Sequence, residues 1–329
     1  MKVLVTGAAG FVGSAVTRRL LAKGHSVRAY LEPGASDANL EGIDVERMEG
    51  DICDAGALGR AMAGCEGLLH LAAIYQVWMK DPSVMWRVNI EGTTAVLLAA
   101  NRAGIGRIVH TSSIAGVGVR PGGEPSDETD VFNHFKIAND YLLTKWASER
   151  VAVRFAEAGS PVVVVNPGFV FGERDRGPTP TGRILVTLMK RKIPFVGPGG
   201  YNVVDVEDVA AGHVAALERG RVGERYILGG HNVTHEEFFA RAAIVAGVPR
   251  PGRKVPSWMI EGLGLVSEVI SDRVTHSHPL APHKAMQYGS IKAFFDSSKA
   301  RRELEMPQTP LEATIEKSVR WFRENGYAP

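Results

Sequence analysis

The chain has 329 residues, 45% of them hydrophobic and 22% charged, a globular composition with ample material for one large domain or two unequal lobes. Lys and Arg (38) nearly balance Asp and Glu (36), so the net charge of +2 supplies no global field for nucleic acid or an acidic membrane surface. Cys53 and Cys65 are the only cysteines and their spacing fits no metal or redox motif; with a strand starting at once and no leader pattern, a reduced, cytoplasmic setting is expected.

Short β-branched runs bounded by Gly, Pro or Asp read as strands in chain order: KVLVT, HSVRAYL, DVERMEG, GLLHLAA, GRIVHTSS and PVVVVNP. Between most of them lie helical patterns that stop at a glycine: GSAVTRRLLAKG, AGALGRAMAG, MWRVNIEGTTAVLLAANRAG and NDYLLTKWASERVAVRFAEAG. This alternation predicts an α/β fold, a doubly wound parallel sheet of the Rossmann type covered on both faces. After Pro167 the rhythm breaks into loops and returns briefly to strand and helix in VVDVEDVAAGHVAALERG and ERYILGG. The expected division is a dinucleotide-binding domain, residues 1–166 plus about 203–230, and a smaller, mostly helical substrate lobe, about 167–202 and 231–329. The most apolar late stretch, VPSWMIEGLGLVSEVI, is cut by Glu261 and Glu268 well short of the roughly 20 residues a membrane span requires.

Gly7, Gly10 and Gly13 stand three apart where the first strand turns into the first helix. Glycine there permits the tight turn, lets a pyrophosphate approach the backbone and seats the helix on the sheet, while the free N–H groups and positive dipole end attract phosphate. The residues at that helix start, Phe11 and Val12 with Gly13, are therefore cofactor candidates.

The stretch TGAAGFVG resembles the opening fingerprint of the extended short-chain dehydrogenase/reductases, and the likeness continues in family order through GDICD, LLHLAA, VNIEGT, HTSS, YLLTK and NPGFVFG. The resemblance implies bound NAD or NADP and a catalytic Ser113, Tyr141 and Lys145. Tyr141 and Lys145, at i and i+4 of a helical stretch, project from one face, where an ammonium beside a phenol would favour the phenolate. Ser113, at the end of GRIVHTSS, can hydrogen-bond a substrate carbonyl; by resemblance it, and not Ser112, takes this role. Tyr288 and Lys292 repeat the spacing, but with a glycine between them, far beyond the parallel-sheet region and with no TSS strand end shortly before, so they are set aside as a decoy for the catalytic pair. The resemblance further implies cofactor contacts at Asp51 and Ile52, at Leu71, Ala72 and Ala73, at Asn89, Tyr141 and Lys145, and at Pro167 and Val170.

Glu32, after the second strand, would accept from a ribose 2′-hydroxyl and repel a 2′-phosphate, which favours NAD over NADP; the other reading is a solvated turn residue. The segment VVVVNPGFVFG, with its Pro167, resembles dihydroflavonol-reductase-like and 3β-hydroxysteroid-dehydrogenase-like members, whereas PTPTGRI and DVAAGHVAALERGRVGERYILGG resemble the hopanoid-associated sugar epimerases. Ile74, Tyr75, Val77, Trp78 and Met79, Phe169 and Phe171, and Trp258 with Met259 would crowd the carboxyl ends of the strands with apolar and aromatic surface. The expected activity is interconversion of a carbonyl and a secondary alcohol on a hydrophobic small molecule of terpenoid, steroid or aryl type, by NAD(P)-dependent hydride transfer with Tyr141 as acid/base. The alternatives are an NAD-retaining sugar epimerase or dehydratase, and a redox-silent sensor, which would have no need of both Tyr141 and Lys145. No metal is expected: His276, His278 and His283 lie among prolines without a nearby cysteine or carboxylate cluster. Family dimers pair the helices carrying Asn89 and Tyr141, so a homodimer is one arrangement, packing of WASERVAVRF within one subunit the other.

Overall fold

A computed structural model of the chain describes residues 1–193, 195–252, 255, 256, 262 and 283–329. Seven strands form one sheet in the order β3-β2-β1-β4-β5-β6-β9, every pairing parallel. They are β1 (Lys2–Thr6), β2 (Ser26–Leu31), β3 (Glu46–Glu49), β4 (Gly67–His70), β5 (Arg107–Thr111), β6 (Val162–Pro167) and β9 (Arg225–Leu228). The two-residue period of a strand explains the two cores. Val3, Val5, Val109, Val163 and Val165 face helices α1 (Phe11–Ala22) and α7 (Val206–Arg219). Leu4, Leu68, Ile108, Val162 and Val164 face α2 (Ala55–Met62), α4 (Thr93–Arg102) and α5 (Asp140–Glu157). Strands buried on both sides need no polar alternation, which is why they read as continuous apolar runs. The strand order reverses direction between β1 and β4, and the crevice beyond their carboxyl ends is where such folds take a ligand.

The segment expected as one helix around Asn89 is three pieces: α3 (Ser83–Trp86), a wide π-helical turn (Arg87–Gly92), and α4. Two threonine hydroxyls donate to the carbonyls four residues back, Thr93 to Asn89 at 2.7 Å and Thr94 to Ile90 at 2.9 Å, the kind of back-bonding that bends a helix. A Cβ on Gly92 would lie 2.6 Å from the Ile52 Cδ1, so only glycine lets this turn press on the β3–α2 loop.

The second lobe adds a small sheet to its helices. β8 (Gly200–Asp205) runs parallel to β7 (Phe169–Phe171) and antiparallel to β10 (His231–Thr234). The expected crossover near residue 203 falls inside β8, all of which pairs in this small sheet; α7 and β9 then return to the large one. Phe171, Leu185, Phe238, Trp321 and Phe322 close a separate core with α6 (Pro180–Met189), α8 (His235–Ala246) and a late helix over Leu311–Glu324. Between α8 and that helix lie α9 (His283–Gly289) and α10 (Ser298–Glu303), which makes the last one α11. No described helix is long and apolar enough to cross a membrane.

Candidate functional site

The glycine-rich turn is packed to the limit. Gly7 has φ +70°, and a Cβ on it would meet the Ala72 backbone nitrogen at 2.8 Å; a Cβ on Gly13 would sit 2.0 Å from the Gly7 carbonyl oxygen. The turn closes with the Gly10 N–H donating to that carbonyl at 3.0 Å. Helix α1 starts at Phe11 with Gly10 as its cap, no side-chain capping bond and no acidic residue in its first turn. The amides of Phe11, Val12 and Gly13 therefore have no side-chain acceptor, and the positive end of the dipole stands over a bare backbone. This cradle, which a Cβ would fill, fits the pyrophosphate of a dinucleotide. Across the turn, Leu71 and Ala72 donate their amides to the Thr6 carbonyl and hydroxyl at 3.2 Å each, with Ala73 exposed beyond them.

At the adenosine end Glu32 follows β2 and is exposed, while Ile52 is buried. The Asp51 carboxylate already accepts from the Cys53 amide at 2.9 Å and pairs with Arg87 at 3.0 Å; those contacts, the amide first, hold its pKa below the usual range. Asn89 is 1% exposed and its amide is spent inside the protein. Its Oδ1 accepts from the Ile74 N–H at 2.7 Å, and its Nδ2 donates to the Ile74 carbonyl and the Thr144 hydroxyl at 3.1 Å each. The π turn aims Asn89 at the loop leaving β4, which it fixes to α5.

Ser113, Tyr141 and Lys145 converge. Asn139 caps α5, its side chain accepting from the Leu142 N–H at 3.0 Å, so the helix starts just before Tyr141 and presents Tyr141 and Lys145 on one face. Ser113 is half-buried at the exit of β5 and its Oγ accepts from the Ala115 N–H at 3.1 Å; Ser112 is buried. Burial pushes the Tyr141 phenol well above its ordinary pKa, Tyr75 beside it adds to the rise, and a hydrogen bond with Ser113 pulls the other way. Lys145 is pushed down to about 8 by burial, against the opposing pull of Glu149. The expected ammonium-on-phenol pairing is not the arrangement found, because the Lys145 Nζ donates to the Thr111 carbonyl at 2.7 Å, an acceptor at the end of β5. Pro167 ends β6, buried, and Val170 lies half-buried in β7.

Around Tyr141 stands a wall of rings. Tyr75 packs on it at 4.7 Å between centroids, and the Tyr75 hydroxyl is hydrogen-bonded to Thr181 Oγ1 at 2.9 Å. Phe169 lies 4.7 Å from Tyr201. Tyr288, set aside at first as the tyrosine of a decoy pair, is half-buried on α9 and packs on the cluster that holds Tyr141; it contributes to the raised pKa of Tyr141 and meets His134 edge-on at 5.8 Å. Ile74, Val77, Trp78 and Met79 are half-buried on the loop after β4. Phe171, expected in this wall, is 2% exposed in the second core, tilted against Phe238 at 5.2 Å between centroids. Trp258, Met259, His276 and His278 lie outside the described residues, and His283 opens α9. Among the described residues no cluster of three or more His, Cys, Asp or Glu side chains could hold a metal ion.

Two groups behind the site escaped the sequence reading. Glu149 and Asn166 are buried and hydrogen-bonded to each other, and Asn166 also reaches Ser113. Glu149 was legible as the next i+4 step after Lys145; the packing of Tyr288 beside Tyr141 had no local signal.

A parallel sheet in this order, with a glycine-rich turn at β1–α1 and a tyrosine and lysine on the helix after β5, defines a dinucleotide-binding oxidoreductase architecture. The chain belongs to the NAD dependent epimerase/dehydratase family, whose model matches residues 3–229. It is 36% identical over 327 residues to a Synechocystis sp. protein provisionally named dihydroflavonol 4-reductase, covering 98% of this chain and 95% of that protein. To sterol demethylase protein B of Methylococcus capsulatus it is 33% identical over 327 residues, covering 99% of both. The solved structure of gox2253 superposes with a TM-score of 0.89 at 36% identity, over 99% of each chain. Its homologues are NAD(P)-dependent reductases and dehydrogenases, and the chain is an enzyme of that superfamily.

Proposed function

We propose that this enzyme interconverts a carbonyl and a secondary alcohol on a hydrophobic, ring-bearing small molecule, with NAD as the preferred cofactor. The observation that carries the reading is the half-buried Tyr141, its phenol shielded from water with Ser113 beside it and the Tyr75 and Tyr288 rings around it. A bound nicotinamide would supply or accept the hydride. In the reducing direction Tyr141 gives its proton to the substrate oxygen; its raised pKa keeps that proton on the phenol at neutral pH, the state an acid needs. The Ser113 hydroxyl donates to the same oxygen as charge develops there. Lys145, anchored on the Thr111 carbonyl one helical turn past Tyr141, would hold the nicotinamide ribose. Oxidation of the alcohol runs the same proton transfers backwards.

Gly7, Gly10, Phe11, Val12 and Gly13 would hold the pyrophosphate, Leu71, Ala72 and Ala73 the facing ribose, and Pro167, Val170, Tyr141 and Lys145 the nicotinamide half. Glu32, exposed after β2, would accept from an unmodified 2′-hydroxyl and repel a phosphate, which is the ground for preferring NAD. The ringed lining supports an apolar substrate. The names of the two relatives, a dihydroflavonol 4-reductase and a sterol demethylase protein, support the same reading.

The test is a titration of cofactor-stripped protein with NADH and NADPH by nicotinamide fluorescence, followed by a panel of aryl, steroidal and terpenoid ketones. Tighter NADH binding and ketone-dependent oxidation are expected. Cofactor that cannot be stripped, or that stays reduced with every ketone, would favour a cofactor-retaining epimerase instead.

A further inference from the structure

Behind the trio lies a buried polar group that the proposed chemistry does not use. Glu149 is 3% exposed on α5, one turn past Lys145 and two past Tyr141 on the same helical face. Its Oε2 accepts from the Asn166 Nδ2 at 2.6 Å, and that nitrogen also donates to the Ser113 carbonyl at 2.9 Å. Its Oε1 accepts from the Arg225 Nη1 at 2.7 Å. The remaining guanidinium nitrogens of Arg225 hold the loop before α5, donating to the carbonyls of Glu128 and Asp130 at 2.7 and 2.8 Å. A Cβ on Gly116 would come within 3.2 Å of the Glu149 Oε2, so the turn that Ser113 caps closes directly on this carboxylate.

We infer that Glu149 is a positioning residue of the site: its carboxylate is the counter-charge to Lys145 and, through Asn166, the tether that fixes the main chain of Ser113. The inference rests on reading Ser113, Tyr141 and Lys145 as the reacting groups.

The surroundings of Lys145 leave this role to one group. From β4 and β5 come His70 and His110, both kept neutral by burial, with Lys145 a lesser cause in each. From α5 comes the protonated Tyr141; from α7 comes His213, also kept neutral by burial and bonded to the Thr111 hydroxyl at 3.0 Å; from β9 comes the cation Arg225. The Glu128 carboxyl is turned to the Ile227 amide, and Asp130 to Arg120. Glu149 alone among these supplies negative charge on the Lys145 side, and it is the one group that raises the lysine pKa against desolvation. A buried ion pair robbed of one member leaves its partner's charge uncompensated, so loss of the carboxylate leaves Arg225 as a second cation near Lys145.

The experiment follows the Lys145 ionisation by 13Cε-lysine NMR in the full-length protein, with the resonance assigned from Lys145→Arg and folding checked by thermal melts. In Glu149→Gln the midpoint is expected to fall by at least about one pH unit, tenfold in proton affinity, and Glu149→Asp is expected to recover most of it. A folded Glu149→Gln protein with the wild-type midpoint overturns the inference. If Glu149→Gln does not fold, Arg225→Gln reads the same field with the opposite sign: relieved of its cationic partner, Glu149 should raise the midpoint, and an unmoved midpoint overturns the inference. The tether is read separately. Asn166→Ala should leave the midpoint in place while lowering kcat at least tenfold with cofactor KM unchanged; an unchanged kcat removes that half of the inference. The NMR midpoint needs no turnover, so a Glu149-dependent midpoint in a protein that reduces no ketone would fell the functional reading and leave the counter-charge standing.

Discussion

Tyr75 and Tyr141 face each other with ring centroids 4.7 Å apart and planes inclined at 39°, and the Tyr75 hydroxyl reaches across to Thr181 on α6. The loop leaving β4 thereby joins the proposed acid to the second lobe. The ring is expected to matter more than the hydroxyl. Tyr75→Phe gives up one hydrogen bond, about 1 kcal/mol, and should change kcat/KM for an aryl ketone by less than about fivefold. Tyr75→Ala removes the wall and an aromatic pair, and should cost tenfold or more. Steady-state kinetics on both variants check this; equal losses would assign the effect to the hydroxyl.

Tyr141→Phe removes the proton and keeps the ring. Turnover should fall by about 10² to 10⁴, the usual contribution of a positioned acid or base, while NADH still binds. Turnover at the wild-type rate would sink the proposed chemistry.

Gly13→Ala places a methyl 2.0 Å from the Gly7 carbonyl oxygen, a backbone atom that cannot step aside without opening the turn. Cofactor affinity should drop at least about tenfold, 1.4 kcal/mol, with a lower melting temperature. The contrasting change is Gly59→Ala in the exposed middle of α2, where a Cβ meets nothing within 4 Å. It should stabilise the protein by about 0.5 to 1 kcal/mol. Fluorescence titration and calorimetry of the pair separate a crowded glycine from a merely permissive one.

Burial depresses the histidines, His70 to about 3 and His213 and His235 to about 4 each. Their folded pKa values lie below the ordinary 6.5, so between pH 6.5 and about 4 the unfolded chain binds protons that the folded one refuses. The stability they contribute is complete above pH 6.5 and is lost as pH falls, by up to about 1.4 kcal/mol per pH unit for each group. Melting temperature should therefore decline steadily from pH 6.5 to 4, with a shallower slope in His213→Gln. An unaltered slope in that variant would show that His213 takes no part.

The sequence by itself determined the layered α/β fold and the glycine-rich turn, because both are written in local terms. Unbroken runs such as VVVV mark strands covered on two sides, and a strand-to-helix junction with three glycines leaves few other uses for them. It also placed Tyr141 and Lys145 on one face, since helical period alone does that. Only the tertiary structure decided what those side chains meet. Lys145 bonds the Thr111 carbonyl because β5 ends beside α5, a packing fact with no trace in YLLTK. Asn89 serves the loop at Ile74 because its helix widens there into a π turn, and Phe171 joins the second core because Phe238, far along the chain, packs against it. Tyr288 has a lysine at i+4 just as Tyr141 does, and the fold makes the two tyrosines neighbours: spacing fixes which residues share a face, while the long return of the chain fixes which faces share a site.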